Sequence, residues 1–203
     1  MDKALAITHA YDHLNDSMRA KQGVINQQLE NIYLASELLV QCFRTGSKVL
    51  LCGNGGSAAD CQHMATEFVS GILDERVCGL PAISLTTDSS FLTAYSNDVD
   101  FRYIFSHQIV TLGNVGDVLI CISTSGRSPN MAMATEHALG LSMKVIALTG
   151  GDGGVLSQIV SGDKNSVCIT VPHNNTQIIQ ECHLAIEHII VELVEIEMFG
   201  RTP

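Results

Sequence analysis

The apolar positions near the start of the chain recur at steps of three and four residues, which is the spacing of one face of an α-helix. Residues 4–43 follow this pattern. It predicts two helices that meet around residues 21–24, the second of which ends at residues 44–46. We expect residues 1–45 to form a helical segment that takes part in oligomerisation.

Five short apolar runs follow, and most of them lack the polar alternation of a strand with one face in water. They cover residues 48–52, 82–85, 117–123, 144–149 and 166–171. Strands that are apolar on both sides are typical of parallel sheets covered by helices on both faces. Helical patterns separate most of the runs, at residues 57–70, 91–94 with 105–112, 129–139 and 155–159. This alternation predicts an α/β fold with a doubly wound parallel sheet.

A long apolar stripe closes the chain at residues 176–199. At 1.5 Å per residue it predicts a helix of about 35 Å, which is long enough to pack against another subunit as well. No repeat, low-complexity tract or linker divides the sequence. We therefore expect one domain over residues 1–203, with an α/β core at residues 46–200.

Acidic residues outnumber Lys and Arg by 21 to 11, which gives a formal net charge of −10. A nucleic-acid surface needs clustered Lys and Arg, so we expect no nucleic-acid partner. No apolar run approaches the roughly 18 residues of a membrane span, so we expect no membrane partner. Residues 1–13 lack the pattern of a signal peptide, so a cytoplasmic location is expected.

The seven cysteines are dispersed and form no CxxC pair. Several lie inside apolar runs, where a thiol acts as a small hydrophobic side chain. In a cytoplasmic protein we expect reduced, buried thiols at all seven positions. These are Cys42, Cys52, Cys61, Cys78, Cys121, Cys168 and Cys182.

Three predicted strands end in loops of glycine and hydroxyl residues that lead into predicted helices. These loops are CGNGGS at residues 52–57, STSGRS at 123–128 and TGGDGG at 149–154. Glycines allow a close approach of the backbone, and hydroxyls and helix N-termini bind phosphate oxygens. The second loop is the strongest candidate because it carries four hydroxyls, whereas for the third loop turn formation alone is the favoured explanation and phosphate binding is the alternative. Neither a P-loop nor GxGxxG is present, so a small phosphorylated ligand is favoured.

Candidate proton-transfer or metal-binding residues lie on two predicted helices. His63 and Glu67 are four residues apart and share one helical face after the first loop. Such a pair suits a metal site or acid–base chemistry, and an exposed pair without function is the alternative. Helical spacing alone cannot choose among the polar groups of the terminal helix. These are Gln180, Glu181, His183, Glu187 and His188.

The ordered motifs of the chain resemble the sugar isomerase (SIS) domain family, and more narrowly the phosphoheptose isomerases. They are GNGGSAADCQH, AISLTTDSS, SNDVDF, GDVLICISTSGRSPN, VIALTGGDGG and QECHLAIEH, within residues 26–199. The resemblance implies a five-stranded, flavodoxin-like sheet and a homotetramer with active sites at subunit interfaces. It also implies an aldose–ketose isomerase that converts sedoheptulose 7-phosphate to D-glycero-D-manno-heptose 7-phosphate through an enediol. That reaction begins the synthesis of ADP-heptose for lipopolysaccharide.

The resemblance also implies roles for individual residues. It makes Glu67 and His188 the acid–base pair. It places one Zn²⁺ per subunit on His63, Glu67, Gln180 and His188. A carboxylate bound tightly to zinc is a poorer base, so the two roles of Glu67 compete. Contacts with the phosphorylated seven-carbon sugar fall on Asn54, Gly55, Gly56, Glu67, Asn97, Asp98, Ser123, Thr124, Ser125, Ser128 and Gln180.

Two positions depart from the family pattern. At position 127 this chain has Arg where many relatives carry Asn, so it gains a cation there. At position 178 it has Ile where many relatives carry Arg, so it loses a cation there. A close branch of the family includes a tetrameric regulator that binds the replication initiator protein, and a sugar-phosphate-sensing module is a third alternative. The presence of Glu67, Gln180 and His188 together favours the enzyme, and Glu67 discriminates against that regulator, which carries a small residue there.

Overall fold

The computed structural model describes residues 2–71 and 79–200. Within these residues, five strands form one all-parallel sheet in the order β2-β1-β3-β4-β5. The predicted doubly wound sheet is confirmed, and each strand lies within one residue of its predicted bounds. The strands are β1 Val49–Gly53, β2 Ala82–Ser84, β3 Val118–Ile122, β4 Lys144–Gly150 and β5 Val167–Val171.

Helices connect the strands and cover both faces of the sheet. They are α1 Lys3–Gln27, α2 Leu29–Arg44, α3 Gly56–Ser70, α4 Ser89–Asp98, α5 Ile104–Leu112, α6 Pro129–Gly140, α7 Gly154–Ser161 and α8 Thr176–Phe199. The C-terminal helix has its predicted bounds, and the pattern at residues 91–94 is part of the longer helix α4. Among the helices of the described chain, none combines the length and apolarity needed to cross a bilayer.

The first two helices meet at Gln28, so the predicted junction at residues 21–24 is wrong. Gln28 leaves the helical backbone at φ −123°, and its side-chain oxygen accepts a hydrogen bond from Asn31 Nδ2 at 2.9 Å. Gly23 lies inside α1, where a Cβ would come within 2.6 Å of Pro172 Cγ. This glycine allows close packing between distant parts of the chain, and it does not end the helix.

Successive side chains of the strands alternate between two apolar layers. In β1, Val49 and Leu51 pack in the layer that contains α1, α2, α3 and α8. Leu50 and Cys52 pack in the opposite layer, with α5, α6 and α7. Because both layers are dry, the strand sequences carry no polar alternation.

The cysteines belong mainly to these layers. Of the six that the structure describes, five are buried and Cys168 is half-buried, and all six are free thiols. The remaining one, Cys78, lies outside the described residues. Burial raises the pKa of the Cys42 thiol to about 12, so this side chain is a neutral hydrophobic group at physiological pH.

The strand order brings two of the three predicted loops side by side. β1 and β3 are neighbours, and the chain reaches the two edges of the sheet in opposite directions from them. Open α/β sheets bind ligands at such a switch point, beyond the carboxyl ends of the strands. The loops after β1 and β3 meet there, and the loop after β4 lies next to them.

Asp117 joins the beginnings of β1 and β3. Its side chain is 3 % exposed. One oxygen accepts a hydrogen bond from the backbone N–H of Lys48 at 3.0 Å. The other accepts from Lys48 Nζ at 2.5 Å and from the backbone N–H of Asn114 at 2.8 Å. Three donors therefore depend on one buried carboxylate.

We expect Asp117→Ala to lower the free energy of unfolding by about 2–4 kcal/mol, because the three donors lose their acceptor in a buried place. Urea denaturation followed by circular dichroism measures this loss. Asp16→Ala is the control, since Asp16 pairs with Arg19 on the surface of α1 and its loss should cost less than about 1 kcal/mol. Equal losses in the two variants would contradict the role of Asp117.

Candidate active site

The first loop leaves β1 at Gly53 and enters α3 at Gly56. Gly55 has a positive φ of 58°, which favours glycine. A Cβ at Gly56 would lie 2.4 Å from Gln180 Nε2, so glycine allows α8 to approach the loop closely. The packing brings Gln180 to the predicted sugar-phosphate loop.

Asn54 and Asn130 fasten the first loop to the helix that follows the second loop. Their side-chain amides exchange two hydrogen bonds, of 2.9 and 2.8 Å. Asn130 is 2 % exposed and lies in the first turn of α6. It is absent from the predicted site residues, and its only signal in the sequence is its position just after the hydroxyl loop.

A cavity of about 590 Å³ lies beside the first loop. Its lining includes Asn54 and Gly55 together with Asn97 at the end of α4. The Asn97 side chain donates a hydrogen bond to Asp98 Oδ1 at 2.8 Å. Tertiary packing thus brings Asn97, predicted as a substrate contact, to the loop that is about forty residues earlier in the chain.

A second cavity, of about 310 Å³, lies between the second and third loops. Thr124 and Ser125 line it on one side. Gly126 packs against the third loop, where a Cβ would come within 2.0 Å of the Gly153 carbonyl oxygen. The backbone N–H of Leu156 donates to the Gly126 carbonyl at 3.0 Å. Packing between the loops therefore explains glycine at these positions.

His63, Glu67 and His188 meet between α3 and α8. His63 Nε2 lies 2.9 Å from His188 Nε2. Glu67 Oε1 lies 3.1 Å from the first nitrogen and 3.3 Å from the second. Ligand atoms about 2.05 Å from a tetrahedral zinc ion are roughly 3.3 Å apart. Two imidazole nitrogens and a carboxylate oxygen at this spacing fit Zn²⁺, with one position open for another ligand.

The carboxylate of this cluster is more buried than the two imidazoles. The side chain of Glu67 is 11 % exposed, against 46 % for His63 and 38 % for His188. Burial raises the pKa of Glu67, and the charges of the two histidines offset part of this rise. A buried carboxylate with a raised pKa next to an imidazole suits proton transfer.

Gln180 and His188 lie at different places along α8. Gln180 Nε2 donates to Asp60 Oδ2 at 3.0 Å, close to the first loop. Eight residues of helix separate the Cα atoms of Gln180 and His188 by about 12 Å. Three of the four predicted zinc ligands therefore meet within one chain. The assignment of Gln180 to the metal stays a prediction, and Asp60 is a neighbour that the sequence did not indicate.

Two of the other polar groups of α8 have structural partners. Glu181 accepts a hydrogen bond from Ser17 Oγ at 2.5 Å and lies 2.8 Å from His13 Nε2, so it fastens α1 to α8. His183 is fully buried, and its Nε2–H donates to the Thr149 carbonyl oxygen at 2.9 Å. Burial lowers the pKa of His183 to about 4, so this ring is neutral.

A five-stranded parallel sheet with glycine- and hydroxyl-rich loops at its switch point is typical of the sugar isomerase domain class of proteins. A model of the SIS domain matches residues 12–150. The phosphoheptose isomerase of Roseiflexus sp. (strain RS-1) is 45% identical over 188 residues, which cover 93% of this chain and 92% of that protein. The chain belongs to the phosphoheptose isomerase family of SIS-domain proteins.

Solved structures agree with this assignment. The phosphoheptose isomerase from Neisseria gonorrhoeae matches with a TM-score of 0.88 at 41% identity, over 94% of this chain and 98% of that one. The phosphoheptose isomerase from Francisella tularensis matches with a TM-score of 0.86 at 36% identity, over 96% and 99% of the two chains. The likeness therefore extends over nearly the whole length of each protein.

Glu187 is a buried carboxyl group beside the cluster. It is fully buried, and neither oxygen has a hydrogen-bond partner among the described residues. Burial raises its pKa to about 8, and the charges of Asp60 and Glu67 contribute to this rise. The folded protein therefore holds a neutral carboxylic acid at position 187 near pH 7, whereas the unfolded chain ionises it.

We expect Glu187→Gln to become more stable relative to the natural protein as the pH rises. Between about pH 4.5 and pH 8, the folded state of the natural protein keeps a proton that the unfolded state releases. Its free energy of unfolding should fall relative to the variant by about 1 kcal/mol per pH unit. Urea denaturation at several pH values, with EDTA present, measures the difference. The exposed Glu136→Gln is the control, and a pH-independent difference for Glu187→Gln would contradict this prediction.

Proposed function

We propose that this chain is an aldose–ketose isomerase that converts sedoheptulose 7-phosphate to D-glycero-D-manno-heptose 7-phosphate, and so begins the synthesis of ADP-heptose. The observation that carries the proposal is the cluster of His63, Glu67 and His188, in a chain that is 45% identical to a phosphoheptose isomerase. The cluster supplies the groups that such a proton transfer needs.

The reaction moves a proton from C1 to C2 and exchanges the positions of the carbonyl and hydroxyl groups. Glu67 takes the C1 proton to form the enediol and returns it to C2. His188 gives a proton to the carbonyl oxygen on C2 and later receives one from the hydroxyl on C1, so the protons balance. The raised pKa of Glu67 supports this role, because it makes the carboxylate a stronger base.

His63, Glu67 and His188 are the residues that would hold Zn²⁺, with Gln180 as the fourth predicted ligand. Bound there, the ion would supply a Lewis acid that polarises the carbonyl oxygen. Glu67 Oε1 lies near both histidines, so metal binding and proton abstraction compete for one carboxylate. Turnover with and without zinc distinguishes the two roles.

Hydroxyls and backbone amides bind the phosphate in this proposal. The second loop offers Ser123, Thr124, Ser125 and Ser128 immediately before the N-terminus of α6. That helix end favours an anion, which compensates for the scarcity of Lys and Arg in the chain. Asn97, Asp98 and Gln180 then contact the sugar.

The geometry of the cluster also bears on the two alternatives, the initiator-binding regulator and the sugar-phosphate sensor. Neither needs a buried carboxylate beside two imidazoles. The spacing of 2.9 to 3.3 Å among His63, Glu67 and His188 therefore supports an enzyme over both alternatives.

We expect Glu67→Gln and His188→Ala each to lower kcat for sedoheptulose 7-phosphate at least 100-fold, because each removes a proton-transfer group. NMR follows the formation of heptose 7-phosphate by purified protein, with and without added zinc. Glu136→Gln is the control, since this residue is exposed on α6 far along the chain from the cluster. Full activity of Glu67→Gln would overturn the assignment of the base, and a natural protein without turnover would overturn the proposed reaction.

The distance between the cluster and the first loop supports active sites that are shared between subunits. Gly56 and Glu67 are eleven residues apart on α3, which corresponds to about 16 Å. His63 and His188 are partly exposed, so the cluster opens onto the surface. We infer that the cluster of one subunit faces the phosphate loops of another.

The first helix supports the proposed homotetramer. Ile7, Tyr11, Leu14 and Met18 are each at least 60 % exposed. They follow steps of four, three and four residues, which is the spacing of a helix that packs against another helix. A second copy of this chain is the partner that covers such a stripe in the proposed oligomer.

We expect mixed oligomers of two inactive variants to regain activity. Glu67→Gln lacks the base, and the double variant Ser123→Ala with Ser125→Ala lacks phosphate contacts. When the two are co-expressed with different tags and purified through both, some sites combine an intact cluster with intact loops. Turnover in these mixed oligomers, compared with each variant alone, measures the effect. Mixed oligomers as inactive as their parents would show that each subunit builds its site alone.

A further inference from the structure

Among the described residues that line the cavity between the second and third loops, Arg127 is the one Lys or Arg. It follows Gly126 in the hydroxyl loop, and its backbone N–H donates to Ser125 Oγ at 3.2 Å. Thr124 and Ser125 line the same cavity, which is therefore continuous with the predicted phosphate contacts. A guanidinium at this place has the geometry and charge to bind a phosphoryl group bidentately.

The guanidinium is already paired in the structure. Arg127 forms an ion pair and a hydrogen bond with Asp152 of the third loop. The side chains are 57 % and 70 % exposed. An exposed pair of this kind contributes little net free energy, because water solvates both charges well when they separate. An anion can therefore replace Asp152 as the partner of Arg127 with little loss.

Asp152 has a second partner that does not depend on Arg127. Its Oδ1 accepts a hydrogen bond from the backbone N–H of Gly154, in the first turn of α7, at 3.0 Å. This hydrogen bond is the main cause of the lowered pKa of Asp152, and Arg127 comes second. Asp152 therefore stays ionised and anchored after the guanidinium has left.

The backbones that carry the two side chains are held together independently of the ion pair. Gly126 packs against Gly153, and the Leu156 N–H donates to the Gly126 carbonyl. Only the long side chain of Arg127 has to move for an exchange of partners. The exchange needs a rotamer change and no rearrangement of the loops.

We propose that Arg127 is a substrate-binding residue that leaves Asp152 and pairs with the phosphoryl group of the sugar phosphate at the hydroxyl loop. Asp152 competes with the ligand for the guanidinium. A ligand therefore needs a minimum negative charge in order to displace Asp152. A dianionic phosphate ester competes well with one carboxylate, whereas a neutral sugar or a monoanionic sugar acid does not. This role rests on the proposed function, because it takes the hydroxyl loop as the phosphate site.

Two neighbouring positions, Ile178 and His173, do not provide a cation for this role, and Arg127 is therefore the candidate. Ile178, the position at which many relatives carry Arg, is 1 % exposed and packs in the apolar layer beneath the site. His173 also lines the cavity, but its Nδ1 accepts a hydrogen bond from the Asn175 N–H at 3.1 Å and its Nε2 lies 3.8 Å from Asp16. Its two nitrogens are thus directed to protein groups.

Isothermal titration with inorganic phosphate tests the proposal on the natural protein, Arg127→Asn, Asp152→Asn and the double variant. We expect Arg127→Asn to weaken phosphate binding at least 5-fold and Asp152→Asn to tighten it 2- to 5-fold. The double variant should match Arg127→Asn within 2-fold, because Asp152 acts only through Arg127. KM for sedoheptulose 7-phosphate should change in the same pattern, with kcat altered less than 3-fold.

Arg44→Asn is the matched control, because Arg44 forms an exposed ion pair with Glu197 away from both cavities. Its phosphate affinity should equal that of the natural protein. Unchanged affinity in Arg127→Asn would overturn the proposal. Tightening by Asp152→Asn in both backgrounds would also overturn it, since simple repulsion would then explain the effect. Turnover of the natural protein, measured on the same samples, tests the isomerase separately from phosphate binding.

Discussion

The alignment of α8 along α3 is the contact on which the rest of the site depends. The two helices run in the same direction from the carboxyl edge of the sheet. At its start, α3 has glycine at position 56, which lets Gln180 lie against the first loop. Further along, the same alignment brings His188 to His63 and Glu67. A bulkier residue at position 56 would separate the helices and disturb both places, although they are about 16 Å apart along α3.

This arrangement places the region that favours anions and the region that favours cations at different positions along α3 and α8. Anions are favoured at the switch point, where hydroxyls, backbone amides and the N-terminus of α6 gather. Cations are favoured between α3 and α8, where the Glu67 carboxylate lies within 3.3 Å of the imidazole nitrogens of His63 and His188. In the proposed function an acidic chain binds a phosphate ester, because the attraction comes from local dipoles and the Arg127 guanidinium and not from net charge.

The local pattern of apolar and polar residues was sufficient to predict most of the secondary structure and the positions of the loops. Residues such as Val49 and Leu50 face opposite dry layers, so their run is apolar throughout and its limits are easily read. The junction of the first two helices could not be read in this way. Gly23 is needed because Pro172, which is far away in sequence, packs closely against it. The sequence does not distinguish a glycine that ends a helix from one that allows close packing.

The sequence by itself determined the fold class, the three loops and the pairing of His63 with Glu67, because each depends on spacing along one element. Resemblance to the family was needed to select His188 and Gln180 from the polar groups of α8. Only the tertiary structure decided the contacts of Asn130 and Asp60 and the partner of Arg127. Those features depend on residues from separate elements that meet only when helices pack on the sheet. The neutral state of Glu187 has the same origin, since burial from all sides raises its pKa and no local pattern reveals it.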